Sequence, residues 1–202
     1  MIIEFSGTPS AGKDATIEAM RQNKKISSLN VVDESFLRSP FDDKDFELGI
    51  LWTIFDTYSE VNQVFNKKAS LSSSLTIFNR GLFDRIAFTR LLCSENKHYA
   101  EVSKQLEKWL KESHLLHQLD FIFLFLTSYE KAKNRKLKFK LRPNSTFRIV
   151  NSRVIEKLNE SYLSLNAELG SELPIIIIDD LNHDLSIEQK LSSVSSHIST
   201  LR

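Results

Sequence analysis

The stretch GTPSAGKD, residues 7 to 14, carries the residue types and the spacing that phosphate binding requires. It lies between the apolar start MIIEF and a helix-compatible run, which is the strand, glycine-rich turn and helix order of a phosphate-binding loop. Backbone N–H groups of the loop and the positive end of the following helix attract phosphate. Gly7 and Gly12 allow the tight turn, and Lys13 can reach terminal phosphates. We therefore predict a nucleotide or polyphosphate site here.

The last position of this motif predicts a metal ion. Asp14 stands where the pattern asks for Ser or Thr, whose hydroxyl holds magnesium. A carboxylate in the first helical turn suits the helix dipole by itself, but beside bound phosphates it would be repulsive without a cation between them. We therefore expect Mg²⁺ at Asp14. The predicted nucleotide contacts are Gly7, Ser10, Ala11, Gly12, Lys13, Asp14 and Ala15.

The composition is that of an ordinary globular chain. The 202 residues include 41% hydrophobic and 26% charged side chains, which suits one domain with a substantial core. The net charge of +1 argues against a general attraction to nucleic acid or to a membrane. No apolar run is long enough to span a membrane, and the amino terminus lacks the pattern of a signal peptide. The single cysteine, Cys93, suits a reducing compartment, so we expect a cytoplasmic protein.

Short apolar segments alternate with longer helix-compatible segments along the chain. This alternation predicts an α/β fold in which helices cover both faces of a parallel sheet. The predicted strands are 2–5, 30–33, 75–78, 120–126 and 174–178, and the predicted helices are 14–25, 43–68, 82–92, 96–118, 128–138, 147–169 and 185–200. Ligands of such sheets bind beyond the carboxyl ends of the strands, so the polar residues after each strand are site candidates.

A carboxylate and an arginine follow two of these strands. Glu34 comes after the second strand, where it could accept a proton from an acceptor hydroxyl or serve only as a solvated loop acid. Arg80 comes after the third strand, where its guanidinium could bridge donor and acceptor phosphates. Arg85 lies five residues further on, at the start of a helix, and it joins Glu34 and Arg80 as a substrate-binding candidate.

The segment from residue 131 to 153 is strongly basic, with nine Lys or Arg residues and no acid. We predict that residues 131 to about 148 form a mobile lid, whose Arg135 and Arg142 stabilise charge on a transferred phosphoryl group while closure excludes water. Contact with nucleic acid is a rival use of the same charge. The catalytic candidates are thus Lys13, Glu34, Arg80, Arg135 and Arg142.

Among the aromatic residues of the second predicted helix, Trp52 and Phe55 have a role that stays open. Helical spacing favours core packing for each of them. If the crevice takes a nucleobase, this helix could offer a ring for stacking, and on that basis both are substrate-binding candidates. His114 and His117 lie three residues apart and do not form a metal site without further ligands.

Taken together, these motifs resemble the P-loop nucleoside and nucleotide kinases, the group of thymidylate kinase and the deoxynucleoside kinases. The likeness follows the chain in order, with GTPSAGKD as the phosphate loop, DES at 33–35 as the acidic motif, NRGLFDR as the arginine motif and EKAKNRKLKFKLR as the lid. It implies a single domain across 1–202 with a three-layer fold, a five-stranded parallel sheet in the order 2-3-1-4-5, and magnesium-dependent transfer from ATP to a small acceptor.

The same resemblance implies roles for individual residues. Glu34 would be the base or the acid that binds the acceptor, Arg80 the phosphate clamp, and Arg135 and Arg142 the lid arginines. The loop after the fifth strand, near residues 179–182, would lie by the adenine. Because related enzymes are commonly dimers, the resemblance also leaves a homodimer open.

Two positions depart from the pattern of that family and keep other functions open. Family members usually carry Ser or Thr in place of Asp14 and an acid in place of Asn79. GKDATI is also similar to the GKDGTI loop of polyphosphate-dependent nucleotide kinases, although Pro9 stands where those enzymes carry an acid. A polyphosphate-using enzyme of the same fold is therefore one alternative. A nucleotide-binding or nucleic-acid-binding module without catalysis is the other.

Overall fold

The computed structural model describes residues 1–23, 28–41, 45–67, 74–95, 97–138 and 151–200. Within these ranges the strands are β1 (Ile2–Gly7), β2 (Leu29–Val32), β3 (Leu75–Asn79), β4 (Phe121–Thr127) and β5 (Ile175–Asp180). They form one sheet in the order β2-β3-β1-β4-β5, in which each of the four pairings is parallel. The predicted α/β fold and strand order are confirmed.

Helices alternate with the strands, as the sequence pattern predicts. They are α1 (Lys13–Gln22), α2 (Phe46–Asn66), α3 (Leu82–Glu95), α4 (Ala100–Lys111), α5 (Tyr129–Lys138), α6 (Ser152–Leu169) and α7 (Ile187–Ser199). Short 3₁₀ turns occupy Ser35–Arg38, Lys97–Tyr99 and Leu116–Gln118. Side-chain caps begin two of the helices, because Asn151 accepts from the Val154 N–H at the start of α6 and Ser186 forms a capping box with Gln189 at the start of α7.

The predicted helix 96–118 is divided in the structure. α4 covers only its middle, and a turn follows Lys111. In that turn the Ser113 hydroxyl accepts a hydrogen bond from the Leu115 N–H at 3.3 Å, so a side chain competes with the helix for a backbone donor. The apolar pattern continues through Leu115 and Leu116 because both side chains are buried in the core, although the helix has already ended.

Two apolar layers, one on each face of the sheet, hold the strands in place. Ile122 and Leu124 of β4 pack on one face with α2, α3 and α6, and Phe5, Phe123 and Phe125 pack on the other face with α1 and α7. β1 is buried throughout, Glu4 included, and β4 is buried nearly throughout, which explains the almost continuous apolar sequence of β4. Burial of each such Phe contributes about 1.5–3 kcal/mol, so the core fixes the strand ends that carry the polar residues.

The parallel sheet brings the carboxyl ends of its strands to one edge. β1 ends at Gly7, where the phosphate loop begins, and β3 ends directly before Arg80. This edge is where α/β sheets bind ligands. Among the helices of the described ranges, none combines the length and the apolarity that crossing a membrane requires.

Candidate active site

The turn of the phosphate loop depends on glycine at its first position. Gly7 has φ 128°, and a Cβ atom added there would lie only 1.9 Å from the carbonyl oxygen of Phe125 on β4. A side chain at this position would therefore force the two strands apart. The next residue ties the loop to β4, because the Thr8 N–H donates to Phe125 O at 3.0 Å and Thr8 Oγ1 accepts from the Thr127 N–H at 3.0 Å. Gly12, with φ 99°, makes the second sharp turn, directly before α1.

The Lys13 side chain lies inside the phosphate loop. It is buried, and Nζ donates to the carbonyl oxygens of Gly7 at 2.9 Å and Thr8 at 3.0 Å. Burial lowers the pKa of Lys13 to about 7, and the neighbouring positive charge of Arg80 acts in the same direction. The ammonium group is thus held where a phosphate chain seated on the loop would meet it.

A cavity of about 630 Å³ opens above the phosphate loop, which is large enough for a nucleotide-sized ligand. The sequence-predicted residues that line this cavity are Ser10, Ala11, Gly12, Lys13, Asp14, Ala15, Glu34, Arg80 and Arg135. Residues from four separate parts of the chain therefore line one cavity. The same cavity is also lined by Leu185, Ser186, Ile187 and Lys190, which sequence reasoning did not single out.

Arg80 and Glu34 form an ion pair at one wall of the cavity. Arg80 Nε lies 3.1 Å from Glu34 Oε1, and the arginine side chain is only 6% exposed. Arg80 also donates through Nη1 to Gly7 O at 3.1 Å and to Asp84 Oδ1 at 3.0 Å. Its backbone has φ 70°, a left-handed conformation that is uncommon outside glycine. This conformation and the three acceptors fix the guanidinium between the phosphate loop and the carboxylate of Glu34.

Asp84 anchors this wall from inside the protein. It is fully buried and accepts hydrogen bonds from Arg80, from the Gly7 N–H at 3.2 Å and from the Tyr162 hydroxyl. Burial alone would raise the pKa of Asp84, but the charges of Arg80, Arg85 and Lys13 together hold it below its usual value. Nothing in the local sequence distinguishes this residue from an acid on the helix surface.

Glu4 is a second buried carboxylate behind the phosphate loop. It accepts from the backbone N–H groups of Phe83 at 3.1 Å and Asp84 at 2.8 Å, and from the hydroxyl of Ser6. Because the two N–H groups belong to the first turn of α3, Glu4 caps this helix from the middle of β1. Burial nevertheless raises the pKa of Glu4 to about 7. No local sequence signal marks it, since an acid within a strand has this role only through the fold.

The pKa values of Glu4 and Lys13 predict a stability minimum near pH 7. Glu4 binds its proton more tightly in the folded chain, so its contribution to stability is lost as pH rises from about 4.5 to about 7. Lys13 loses its proton more easily in the folded chain, so stability rises again between about 7 and 10.5. Each limb has a slope on the order of 1.4 kcal/mol per pH unit.

Urea denaturation at several pH values measures this profile. Asp84 and Asp180 have lowered pKa values, so both titrate below the interval from pH 5 to 7 and do not change the stability within it. Glu4→Gln should flatten only the lower limb and Lys13→Met only the upper one. A wild-type free energy of unfolding that rises steadily from pH 5 to 7 would contradict the environment described for Glu4.

Asp180 gathers three cations beside the phosphate loop. Its buried carboxylate lies 2.9 Å from Lys190 Nζ and 3.7 Å from Lys131 Nζ, and it pairs directly with Arg135. Lys190 also donates to Ala11 O at 3.0 Å. Burial alone would raise the pKa of Asp180, but hydrogen bonds from Lys190, from the Leu185 N–H and from Arg135 together lower it.

This cluster places Arg135 at the cavity. It also includes Lys190, which the sequence did not single out. Arg135 Nη1 donates to Ser10 O at 3.3 Å and to Thr127 Oγ1 at 3.2 Å. Lys190 is 1% exposed and lines the same cavity from α7. The sequence shows only a lysine within an amphipathic helix, and nothing local distinguishes it from a solvated one. Asp180 was at least expected at the ligand-binding edge, because it follows a strand.

Asp180→Asn is predicted to lower the free energy of unfolding by about 3–5 kcal/mol, because it leaves the buried ammonium of Lys190 without its counter-charge. The adjacent substitution Asp179→Asn is the matched control. Asp179 caps a turn, because its Oδ1 accepts a hydrogen bond from the Leu181 N–H at 2.9 Å. An asparagine oxygen can still accept this hydrogen bond, so we expect a change below about 1 kcal/mol. Equal losses for the two variants, measured by urea denaturation, would show that Asp180 does not hold the cluster.

Asp14 and Asn79 are in direct contact at the loop. Asn79 Nδ2 donates to Asp14 Oδ1 at 2.8 Å, joining the end of β3 to the first turn of α1. Within the described ranges, no group of three or more His, Cys, Asp or Glu side chains is placed to hold a metal ion. Magnesium at Asp14 would thus use one protein carboxylate together with phosphate oxygens and water, which is its usual environment in nucleotide sites.

Several predicted residues lie elsewhere. Phe55 is 57% exposed and its ring centre lies 6.2 Å from that of Trp109 on α4, so the structure does not bring it to the cavity. Trp52 is partly buried and is absent from the cavity lining. Arg85 is buried between α2 and α3, where it donates to the hydroxyls of two threonines of α2. Arg142 and the lid beyond residue 138 fall outside the described residues.

Comparisons with known proteins identify the fold. No protein-family model matches the chain, and no curated protein matches it significantly. Among solved structures, deoxyadenosine kinase from M. mycoides with bound dATP has a TM-score of 0.75 at 17% identity, covering 98% of this chain and 100% of that one. The same enzyme with dCMP and dCDP has a TM-score of 0.72 at 16% identity, covering 99% and 100%. Thymidylate kinase from Candida albicans has a TM-score of 0.65 at 14% identity, covering 98% and 91%.

The chain therefore has the fold of the P-loop nucleoside and nucleotide kinases over nearly its whole length. This is the class of fold that the sequence motifs predicted.

Proposed function

We propose that this protein is an ATP- and Mg²⁺-dependent phosphotransferase that acts on a nucleoside, a nucleotide or a similar small acceptor. The observation that carries the proposal is the convergence of Lys13, Glu34, Arg80 and Arg135 on one nucleotide-sized cavity above a phosphate loop. A structural glycine turn would not require three further charged groups from distant parts of the chain at the same place. The fold shared with a deoxyadenosine kinase and a thymidylate kinase supports the same conclusion.

The donor site is built from the phosphate loop and α1. Backbone N–H groups between residues 10 and 15 and the N-terminal end of α1 bind the phosphate chain of ATP. Lys13 releases the carbonyl oxygens of Gly7 and Thr8 and donates to the terminal phosphates. Leu185 and Ile187, which line the same cavity, provide apolar contact for the base. This is a few residues beyond the segment 179–182 that the resemblance placed beside the adenine.

Magnesium fits this site through Asp14. Its carboxylate lines the cavity close to the charge of Lys13, and phosphates bound on the loop would add negative charge beside it. When bound, the cation neutralises charge on the β- and γ-phosphates. Without that neutralisation, Asp14 and a triphosphate would repel each other.

Glu34 and Arg80 act on the acceptor and on the transferred group. The acceptor oxygen forms a bond to the γ-phosphorus while the bond from phosphorus to the β,γ-bridging oxygen breaks, and ADP leaves. If the acceptor is a hydroxyl, Glu34 takes its proton. Arg80 donates to the phosphoryl oxygens, where negative charge develops. Its pairing with Glu34 at 3.1 Å keeps both groups at the point of transfer.

The lid function is proposed for Arg135, which already lies at the cavity from α5. It donates to Ser10 O on the phosphate loop and can turn from that oxygen to a phosphate. The corresponding role of Arg142 stays a prediction, as does formation of a homodimer.

An ADP-release assay tests the proposal. Wild-type protein is incubated with Mg²⁺-ATP and each of the common nucleosides and nucleoside monophosphates, with Lys13→Ala as the inactive control. We expect ADP release that depends on at least one acceptor and is lost in Lys13→Ala. Binding of ATP without acceptor-dependent turnover on any of them would favour the alternative of a nucleotide-binding module without catalysis.

A polyphosphate-using enzyme is the second candidate, and the additional cations that line the cavity favour it. Lys190 and Arg135 both line the cavity beside the phosphate loop, so positive charge extends beyond Lys13 and Arg80. An extended phosphate chain needs such charge along its length. Formation of a nucleoside triphosphate from polyphosphate and a diphosphate, in the absence of ATP, would select this candidate over the first.

A further inference from the structure

The contact between Asp14 and Asn79 joins two residues that are 65 positions apart in the chain. Asp14 lines the cavity beside Lys13, whereas Asn79 is the last residue of β3 and is 8% exposed. The hydrogen bond from Asn79 Nδ2 uses one carboxylate oxygen, Asp14 Oδ1, and holds the side chain in one orientation. The other oxygen, Asp14 Oδ2, is left for a further partner.

Asn79 has an unused acceptor at the other end of the same carboxamide. Its Oδ1 is buried, and it has no hydrogen-bond partner among the residues that the structure describes. A buried polar atom without a partner costs about 1–3 kcal/mol, so this atom, on a side chain bonded to the cavity-lining Asp14, calls for a partner that the described residues do not supply. Water bound to a cation at Asp14 would be such a partner, because Mg²⁺ in nucleotide sites usually keeps several waters.

We propose that Asn79 is the positioning residue of a divalent-cation site at Asp14. Its Nδ2 orients the Asp14 carboxylate, and its Oδ1 accepts a hydrogen bond from a water on the cation. This inference rests on the proposed function, since the cation arrives with the phosphate chain of a nucleotide. A carboxamide can do both tasks at once, because it carries a donor and an acceptor on one planar group.

The same geometry explains why these two residue types occur together. An acid at position 79 could not donate to Asp14, and two carboxylates in contact at this distance would repel each other. A carboxylate at 14 therefore requires a neutral donor at 79. Conversely, a hydroxyl at 14, as in the general phosphate-loop motif, would tolerate an acid at 79. The two positions should thus be exchangeable only as a pair.

Cation affinity measured with and without nucleotide tests this inference. Mn²⁺ is the probe, and its binding to protein saturated with ADP is followed by electron paramagnetic resonance. Asn79→Ala is expected to weaken Mn²⁺ binding by about 10-fold or more, as loss of an orienting partner does in other metal sites. Its affinity for ADP without metal should stay within about twofold of wild type, because Asn79 is not placed against the nucleotide.

The reciprocal exchange is the decisive arm. Asn79→Asp alone should weaken Mn²⁺ binding at least as much as Asn79→Ala, and the double variant Asp14→Ser, Asn79→Asp should recover at least tenfold over Asn79→Asp. Glu18→Gln, an exposed carboxylate one turn further along α1, is the control and should bind Mn²⁺ like wild type. Thermal denaturation of each variant checks that it is folded.

Different failures have different meanings. Mn²⁺ affinity of Asn79→Ala within twofold of wild type, or a double variant no tighter than Asn79→Asp, overturns this inference while leaving nucleotide binding intact. Failure of wild-type protein to bind ADP, with or without Mn²⁺, would instead overturn the proposed function.

Discussion

Replacement of Arg80 with methionine is expected to lower the free energy of unfolding by about 3–5 kcal/mol, the typical cost of removing one partner of a buried ion pair. Asp84 is 0% exposed, and Arg80 is its ion-pair partner at 3.0 Å. Without the guanidinium, the Asp84 carboxylate stays buried and keeps the hydrogen bonds from the Gly7 N–H and the Tyr162 hydroxyl, with the weaker influence of the Arg85 and Lys13 charges. The loss should appear in urea denaturation at pH 7.

The double variant Arg80→Met, Asp84→Asn separates charge from packing. Removing the carboxylate as well should recover a substantial part of the lost stability, because the uncompensated charge is gone. Arg90→Met on the same helix is the matched control, since Arg90 pairs with Glu107 and Glu168 near the surface. We expect that control to cost at most about 1 kcal/mol. No difference between Arg80→Met and Arg90→Met would contradict the anchoring role of Asp84.

Arg80→Met should also remove activity, and the rescued double variant should not regain it. Neutralising Asp84 restores the fold but supplies no donor for the transferred phosphoryl group. A double variant with restored stability and restored kcat would show that Arg80 has a structural role only. Measurement of stability and turnover on the same preparations therefore separates the structural role of Arg80 from its catalytic role.

Lys13→Met is the second substitution with a large expected effect, and it should act on catalysis without loss of stability. Removing this donor to the terminal phosphates should lower kcat/KM for the ATP-dependent reaction on the order of a thousandfold. The fold should tolerate the change, because burial already disfavours the charged lysine and lowers its pKa to about 7. Steady-state kinetics and urea denaturation of one preparation test both statements.

The lowered pKa of Lys13 adds a pH dependence to this prediction. Bound phosphate favours the protonated lysine, so binding above about pH 7 must take up a proton. Wild-type affinity for ADP should therefore fall as pH rises from 7 to 9, while that of Lys13→Met should not show this component. Calorimetry in buffers of different ionisation enthalpy measures the proton uptake directly. No uptake at pH 8 would show that Lys13 does not contact the phosphates.

The sequence predicted those parts of the site that depend on local pattern. The phosphate loop was recognisable because its glycines and lysine have fixed spacing, and because an apolar strand and a helix flank it. Glu34, Arg80 and Arg135 followed from their places after strands or within a basic segment. Parallel strands bring positions after strands to one edge, so strand placement alone was enough to collect Glu34 and Arg80.

The remaining contacts depend on which distant residues the fold brings together. The pairing of Asp180 with Lys190 joins the end of β5 to α7, and neither residue has a local signal for it. The cap that Glu4 provides for α3 reaches from residue 4 to residues 83 and 84. Asp14 and Asn79 were noticed separately as departures from a pattern, but only the structure shows that they touch.

Phe55 illustrates the opposite error. Its place on a helix beside the expected crevice suggested stacking on a base, yet helical periodicity alone does not say which face meets the cavity. The structure turns Phe55 outward against Trp109. Side-chain direction, unlike the existence of a helix, required the packing of α2 against its neighbours.

Transfer of labelled phosphate tests the central claim most directly. Wild-type protein is mixed with ATP carrying ³²P in the γ-position, Mg²⁺ and a panel of nucleosides and nucleoside monophosphates, and the products are separated by chromatography. We expect that the label moves to at least one acceptor with wild-type protein and that Lys13→Met reduces this transfer on the order of a thousandfold. Label that stays in ATP or appears only as inorganic phosphate for every acceptor, with folded wild-type protein, would contradict the account.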